Sequence, residues 1–138
     1  MINLITGEKG TGKSKKLIDM ATKAQENSKG LVVVIEDGNS FKFDFSHQIR
    51  LIDSNEYNLK GYEMLYGFLS GISAGNYDVT DILIDNTLKI CNDDIAELEE
   101  FINNLNKLGN NANVNFTISI CKNANDLPQS LLSMVNVG

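Results

Sequence analysis

Residues Gly7–Ser14 read GEKGTGKS and match the pattern G-x-x-x-x-G-K-[ST] at every fixed position. The apolar run Ile2–Thr6 precedes this stretch, and apolar residues at helical spacing follow it from Leu17 onward. Glycines let the main chain curl closely around an anion, and a helix that starts at the end of the turn adds amide N–H groups without internal acceptors. The stretch therefore predicts a phosphate-binding turn between a strand and a helix.

The residue types of this turn fit a nucleoside triphosphate bound with Mg²⁺. We expect the Lys13 ammonium to reach the β- and γ-phosphates. We expect the Ser14 hydroxyl to ligate Mg²⁺, because this hard cation prefers oxygen. An accidental glycine turn is the alternative, but a full match by chance in a chain of this length is expected less than about one time in a hundred. The predicted nucleotide contacts come from Gly7, Glu8, Lys9, Gly10, Thr11, Gly12, Lys13, Ser14 and Lys15.

The rest of the chain alternates between strand-like and helix-like segments. Unbroken apolar runs are typical of strands that are covered on both faces, as in a parallel sheet. The alternation favours an α/β fold of three layers, with a mainly parallel sheet of five to six strands between helices. Strands are predicted at residues 2–6, 31–35, 49–52, 82–84 and 114–120, with a terminal strand at 135–137.

Helical spacing predicts three longer helices and one short one. The segment Asn92–Asp94 offers capping side chains for the most amphipathic helix, and Gly109 is expected to end it. Leu131 and Leu132 are expected to face inward on a short last helix. With this order, strand ends that bind a ligand would all meet at the carboxyl edge of the sheet.

The composition is that of one ordinary globular domain. The chain has 138 residues, of which 42% are hydrophobic, so a single domain over residues 1–138 can bury a core. Its net charge of −6 disfavours nucleic-acid binding, since an acidic surface repels phosphate backbones. The apolar stretch after Met1 is too short for a signal peptide or a membrane span, which predicts a cytoplasmic protein without membrane insertion. Cys91 and Cys121 fit no zinc or CxxC spacing and are expected to be buried thiols.

With its complete glycine-lysine turn and an acidic residue after the strand 82–84, the chain resembles the P-loop NTPase superfamily. Gly10 at the fourth position of the turn is similar to the ATPases of that superfamily, and the chain lacks the D-x-x-G and N-K-x-D segments of GTPases. The resemblance implies a RecA-like domain that binds ATP and Mg²⁺. The segments GEKGTGKSKKLIDMA and VNFTISI also resemble small stand-alone bacterial ATP-binding proteins that are sometimes labelled twitching-motility ATPases.

Carboxylates at strand ends supply the remaining candidates. The resemblance implies that Asp85 holds Mg²⁺, directly or through water; a turn-capping Asp is the alternative. Many ATPases carry a water-polarising Glu at the next position, but here it is Asn86, which cannot accept a proton. Glu36 and Asp37 are the candidates to position water instead, with a simple polar turn as an equal alternative. Ser119 is a candidate γ-phosphate contact, and a half-exposed strand residue is its alternative.

These features predict an ATP-binding protein that hydrolyses ATP slowly or only when a partner stimulates it. The slow rate follows from Asn86 and from the presence of a single arginine, Arg50. One alternative is a non-hydrolytic switch, in which ATP orders the loops after Glu36 and Asp85. Another is a small-molecule kinase such as a nucleoside kinase, although such enzymes usually add an arginine-rich lid. A protein partner or self-association into a homo-oligomer stays open.

Overall fold

The computed structural model describes residues 1–136 and contains one five-stranded sheet. The strand order is β1-β5-β4-β2-β3, and every neighbouring pair is parallel. The predicted α/β class with a parallel sheet is therefore confirmed. The strands are β1 Ile2–Thr6, β2 Leu31–Glu36, β3 Ile49–Asp53, β4 Val79–Ile84 and β5 Asn115–Ile120.

Helices cover both faces of this sheet. On one face, Leu17 and Ala21 pack against Val32 and Val34 of β2. On the other face, a larger core holds buried leucines of two helices against the alternate residues of the same strands. None of the helices within residues 1–136 is long and apolar enough to cross a lipid bilayer. The helices are α1 Lys13–Asn27, α2 Tyr62–Gly75, α3 Thr87–Ile90, α4 Ile95–Ala112 and α5 Gln129–Leu132.

Helix α4 begins as predicted but ends later. Asp94 is its N-cap, and the carboxylate accepts a hydrogen bond from the Glu97 amide. The helix continues past Gly109 to Ala112, and its C-cap Asn113 adopts a left-handed conformation with φ 58°. Gly109 is needed for close packing instead, because a Cβ there would lie 2.7 Å from the Val114 carbonyl oxygen. The prediction that Gly109 ends the helix is thus wrong.

The C-terminal segment departs from the prediction in a second place. Leu131 is buried, as expected, but Leu132 is 42% exposed because α5 is only one turn long. Val135 forms a single parallel bridge with Leu4 on the outer side of β1. The last residue of the predicted terminal strand, Val137, lies outside the described residues.

The two cysteines are not both buried. Cys121 follows β5 at the surface and is exposed, whereas Cys91 is partly buried. Burial raises the pKa of the Cys91 thiol to about 12. The expectation of two buried thiols is therefore wrong for Cys121, which sits where a strand leaves the sheet.

The parallel pairing gathers the predicted site residues at one edge. Ile5 lies opposite Ser119 in the register of β1 and β5, and Ile35 lies opposite Ile84 in that of β2 and β4. The segments that follow these strands therefore leave the sheet side by side. Asp85 comes directly after β4 at this carboxyl edge, the usual place for ligands in open α/β sheets.

Candidate functional site

The turn from Gly7 to Gly12 depends on glycine at three positions. Gly7, Gly10 and Gly12 all have positive φ angles, of 144°, 86° and 86°. A side chain at Gly7 would overlap the hydroxyl of Thr11. The sequence folds this way because these positions lie in backbone regions that L-residues with a Cβ rarely adopt.

Contacts within the chain hold this turn against the sheet. The Gly7 amide donates to the Lys122 carbonyl at 2.8 Å, which fixes the turn to the segment after β5. The Thr11 hydroxyl and the Lys13 ammonium both donate to the Glu8 carbonyl, at 2.7 and 2.8 Å. The Lys13 ammonium therefore contacts its own turn, and its flexible side chain would let it reach an anion in the adjoining cavity.

The turn borders a cavity of about 580 Å³ at the carboxyl edge of the sheet. Its volume lies in the range of small-molecule sites. Most of the predicted nucleotide contacts line it, whereas Gly7, Glu8 and Thr11 shape the turn behind it. The lining residues are Lys9, Gly10, Gly12, Lys13, Ser14, Lys15, Asp85, Asn86, Lys89, Ser119 and Cys121.

Asp85 lines this cavity, and several neighbouring groups affect its ionisation. Burial raises the pKa of Asp85, and the nearby Glu36 carboxylate raises it further. The Ser14 hydroxyl, the Lys13 ammonium and the Ser119 hydroxyl lower it again, because each favours the ionised form. The fold thus brings the two predicted Mg²⁺ ligands, Ser14 and Asp85, next to the predicted phosphate-binding lysine.

Ser119 is buried inside the site rather than half-exposed. Its relative exposure is 1%, so the alternative of a half-exposed strand residue is wrong. Its hydroxyl lies close enough to Asp85 to favour the ionised carboxylate, yet it makes no hydrogen bond of normal geometry within residues 1–136. A buried polar atom without a partner costs about 1–3 kcal/mol. Such an atom facing a cavity indicates that a ligand or water completes its bonding.

Glu36 is bound by its own chain. It is 2% exposed, and its carboxylate accepts hydrogen bonds from the Ser40 hydroxyl at 2.7 Å and from the Phe41 amide at 2.9 Å. These bonds close the turn after β2 and let Phe41 pack into the core beside α1. Glu36 therefore stabilises that turn, while its charge still acts on Asp85.

Asp37 lies outside the cavity lining but contacts a residue that belongs to it. Its carboxylate accepts from the Asn55 side-chain amide at 2.6 Å and pairs with the Lys89 ammonium at 3.2 Å. Both candidates for positioning water are thus engaged in the structure, and neither is among the residues that line the cavity.

Three lining residues, Asn86, Lys89 and Cys121, were not among the predicted contacts. Asn86 adopts a left-handed conformation with φ 49° and starts α3, which carries Lys89 to the cavity. Asparagine tolerates this conformation better than most residues, which is the only local signal for the turn. Nothing in the spacing of Lys89 marks it as a site residue, since its place depends on that turn.

The donor set fits a magnesium ion held partly by a nucleotide. Within residues 1–136, no group of three or more His, Cys, Asp or Glu side chains is arranged to hold a metal ion. A serine hydroxyl and one carboxylate suit Mg²⁺ bound through substrate phosphates, because this ion usually keeps waters and takes one or two protein carboxylates.

No protein-family model matches the chain, and no curated protein matches it significantly.

Proposed function

We propose that the chain is a P-loop nucleotide-binding domain of the RecA-like ATPase branch that binds ATP with Mg²⁺. The observation that carries the proposal is the convergence of Lys13, Ser14, Asp85 and the unpartnered Ser119 hydroxyl on one cavity. These groups come from three separate strand ends and supply a cation, two oxygen ligands and a buried donor. A lysine on the phosphates with a hydroxyl and a carboxylate on Mg²⁺ is the arrangement that P-loop sites use for a triphosphate.

The phosphates would be held mainly by the main chain and Lys13. The first amides of α1 have no intrahelical acceptors and carry the positive end of the helix dipole. Lys13 would exchange the Glu8 carbonyl for phosphate oxygens, a stronger acceptor for an ammonium. Ser14 and Asp85 would hold Mg²⁺, which when bound neutralises charge on the phosphates.

Hydrolysis by the isolated chain is expected to be slow. Asn86 cannot accept a proton from water, and Glu36 uses both carboxylate oxygens to close its own turn. Asp37 is paired with Lys89 and would have to leave it to act on water. A partner that rearranges either contact would therefore stimulate turnover.

Phosphate release measured for wild type, Lys13→Ala and Lys107→Ala tests this function. Lys107 is an exposed residue of α4 and serves as a matched control for loss of a lysine. We expect slow release by wild type and Lys107→Ala, with at least a tenfold loss in Lys13→Ala, as removal of a hydrogen bond to a charged group implies about 1.5–3 kcal/mol. Unchanged activity in Lys13→Ala would rule out the assigned site.

A non-hydrolytic switch is the second candidate, and the position of Glu36 favours it. Glu36 is close enough to raise the pKa of Asp85, and it also holds the turn that contains Ser40 and Phe41. A cation bound at Asp85 would attract the Glu36 carboxylate and loosen that turn. Tight ATP binding with no phosphate released over hours would select this candidate over the ATPase.

A further inference from the structure

Lys89 is a cation of the cavity to which neither the glycine-lysine motif nor the predicted Mg²⁺ site assigns a role. It lies on α3 and lines the same cavity as Lys13. Its ammonium is 3.2 Å from an Asp37 carboxylate oxygen, and the side chains are 62% and 18% exposed. Among the lysines that line the cavity, it is the one that forms an ion pair with a described residue.

We propose that Lys89 is a second phosphate-binding cation, which leaves Asp37 for the γ-phosphate and so makes the site distinguish ATP from ADP. The inference rests on the proposed nucleotide-binding function and specifies how that site senses the terminal phosphate. It needs only a side-chain movement, because Lys89 already borders the cavity.

The exchange is favoured by the strengths of the two interactions. An ion pair with one partner this exposed is worth about 0–1 kcal/mol, since water screens it. A terminal phosphate carries more charge than a carboxylate and offers three acceptor oxygens to an ammonium with three donors. The protein has a single arginine, Arg50, which is exposed on β3 and does not line the cavity. Lysines therefore have to supply the cations of this site.

Departure of Lys89 would also change the surroundings of Asp37. The same carboxylate accepts a hydrogen bond from the Asn55 side chain, so it links the cavity to the 3₁₀ turn Ser54–Tyr57 after β3. Once the ammonium has left, that carboxylate keeps the Asn55 contact and gains an oxygen available to water. The terminal phosphate is thereby linked both to a candidate water-positioning group and to a surface turn.

Isothermal titration calorimetry with Mg-ATP and Mg-ADP tests the exchange. For Lys89→Met we expect ATP to bind at least about tenfold more weakly, by the usual weight of a charged hydrogen bond. ADP binding should stay within about twofold, because ADP has no γ-phosphate to contact. Lys89→Arg should restore most of the lost ATP affinity, and Lys107→Met should change neither the ATP nor the ADP affinity.

A double-mutant cycle separates this role from a general charge effect. Asp37→Asn should strengthen ATP binding up to about fivefold, by removing the competing carboxylate. In the Lys89→Met background that gain should disappear, since no ammonium is left to release. Equal losses for ATP and ADP in Lys89→Met, or a gain from Asp37→Asn that survives without Lys89, would overturn the inference. If wild type binds neither nucleotide, the proposed function itself fails, which is a distinguishable result.

Discussion

The N-termini of α1 and α4 lie at the same edge of the sheet but are built in opposite ways. Helix α4 starts with Asp94, whose carboxylate caps the Glu97 amide, and Glu97 adds negative charge to the first turn. Helix α1 begins with Lys13, its N-cap Gly12 offers no side chain, and its first turn has no acidic residue. Caps and acidic residues stabilise a helix start, whereas lysines there oppose the dipole.

The difference is that the chain itself caps the start of α4, whereas the start of α1 has no such cap, as the proposed binding of an anion would require. At α4 the protein supplies both the acceptor and the negative charge. At α1 it places lysines and helix-start amides beside a cavity, and under the proposed function a ligand would supply the negative charge. Substitutions at the two helix starts should therefore have reciprocal effects on ligand binding and on folding.

Lys13→Ala should give the largest effect in this comparison, and the effect should be on binding. We expect ATP affinity to fall by about 1.5–3 kcal/mol, the weight of hydrogen bonds to charged groups. The free energy of unfolding without ligand should stay the same or rise by a few tenths of a kcal/mol, because a cation leaves a helix N-terminus. Calorimetry and urea unfolding measure the two quantities. A large loss of stability would mean that Lys13 is part of the folded framework instead.

Asp94→Ala should show the reverse pattern. Loss of an N-cap typically lowers the free energy of unfolding by about 1 kcal/mol. ATP affinity should not change, because Asp94 does not line the cavity. Urea unfolding together with an ATP titration checks both parts. A variant that lost nucleotide affinity while keeping its stability would contradict the assignment of α4 as a purely structural helix.

Asp81 within β4 and Asp85 directly after it extend the comparison to the effect of pH and of Mg²⁺. Burial raises the pKa of Asp81, and a hydrogen bond with Asn115 lowers it only in part. A raised pKa means that Asp81 contributes stability below its unfolded pKa and that this contribution is lost as the pH rises through the folded value. Asp81→Asn should therefore stabilise the protein at neutral pH, with a gain that shrinks as the pH falls toward 3.8, the ordinary value for Asp. Thermal unfolding from neutral to acidic pH measures this trend.

Asp85→Asn is the matched variant at the residue that directly follows β4. It should remove the dependence of nucleotide binding on Mg²⁺, because one oxygen ligand loses its charge. Asp81→Asn should keep that dependence, since Asp81 lies within β4 and does not line the cavity. Nucleotide titrations with Mg²⁺ and with a chelator distinguish them. Equal Mg²⁺ dependence in the two variants would remove Asp85 from the proposed metal site.

Ser119→Ala should give the smallest effect, but it still distinguishes a role of Ser119 in ligand binding from a role in stability. The wild-type hydroxyl is buried without a normal hydrogen bond in residues 1–136, so its removal should leave stability unchanged or slightly higher. ATP affinity should fall by about 0.5–1.5 kcal/mol if the hydroxyl donates to a phosphate. A loss of stability with unchanged affinity would show that Ser119 serves packing alone.

Much of this architecture could be predicted from local sequence patterns. The glycine-lysine turn, the apolar run 31–35 and the Asp94 cap each depend on neighbours along the chain, and each is found where its pattern places it. Helix α2 is one of the three longer helices that helical spacing predicts, and it forms although three glycines lie within it.

Features that depend on distant residues could not be predicted in the same way. Gly109 resembles a helix terminator, but it is required for the approach of Val114, which no local pattern reveals. In the sequence Glu36 resembles an available base, but in the structure its carboxylate accepts hydrogen bonds from Ser40 and Phe41. Lys89 reaches the cavity only because Asn86 turns the chain into a one-turn helix.

Thermal unfolding with ATP, GTP and ADP, each with and without Mg²⁺, tests the central claim most directly. At 100 times its dissociation constant, a ligand of the folded state adds about 2.7 kcal/mol, which raises the Tm of a domain of this size by on the order of 10 °C. We predict the largest rise with Mg-ATP in wild type and about half of that rise or less in Lys13→Ala, in line with its weaker binding. A well-folded wild-type protein whose Tm does not change with any magnesium nucleotide at millimolar concentration would contradict the account.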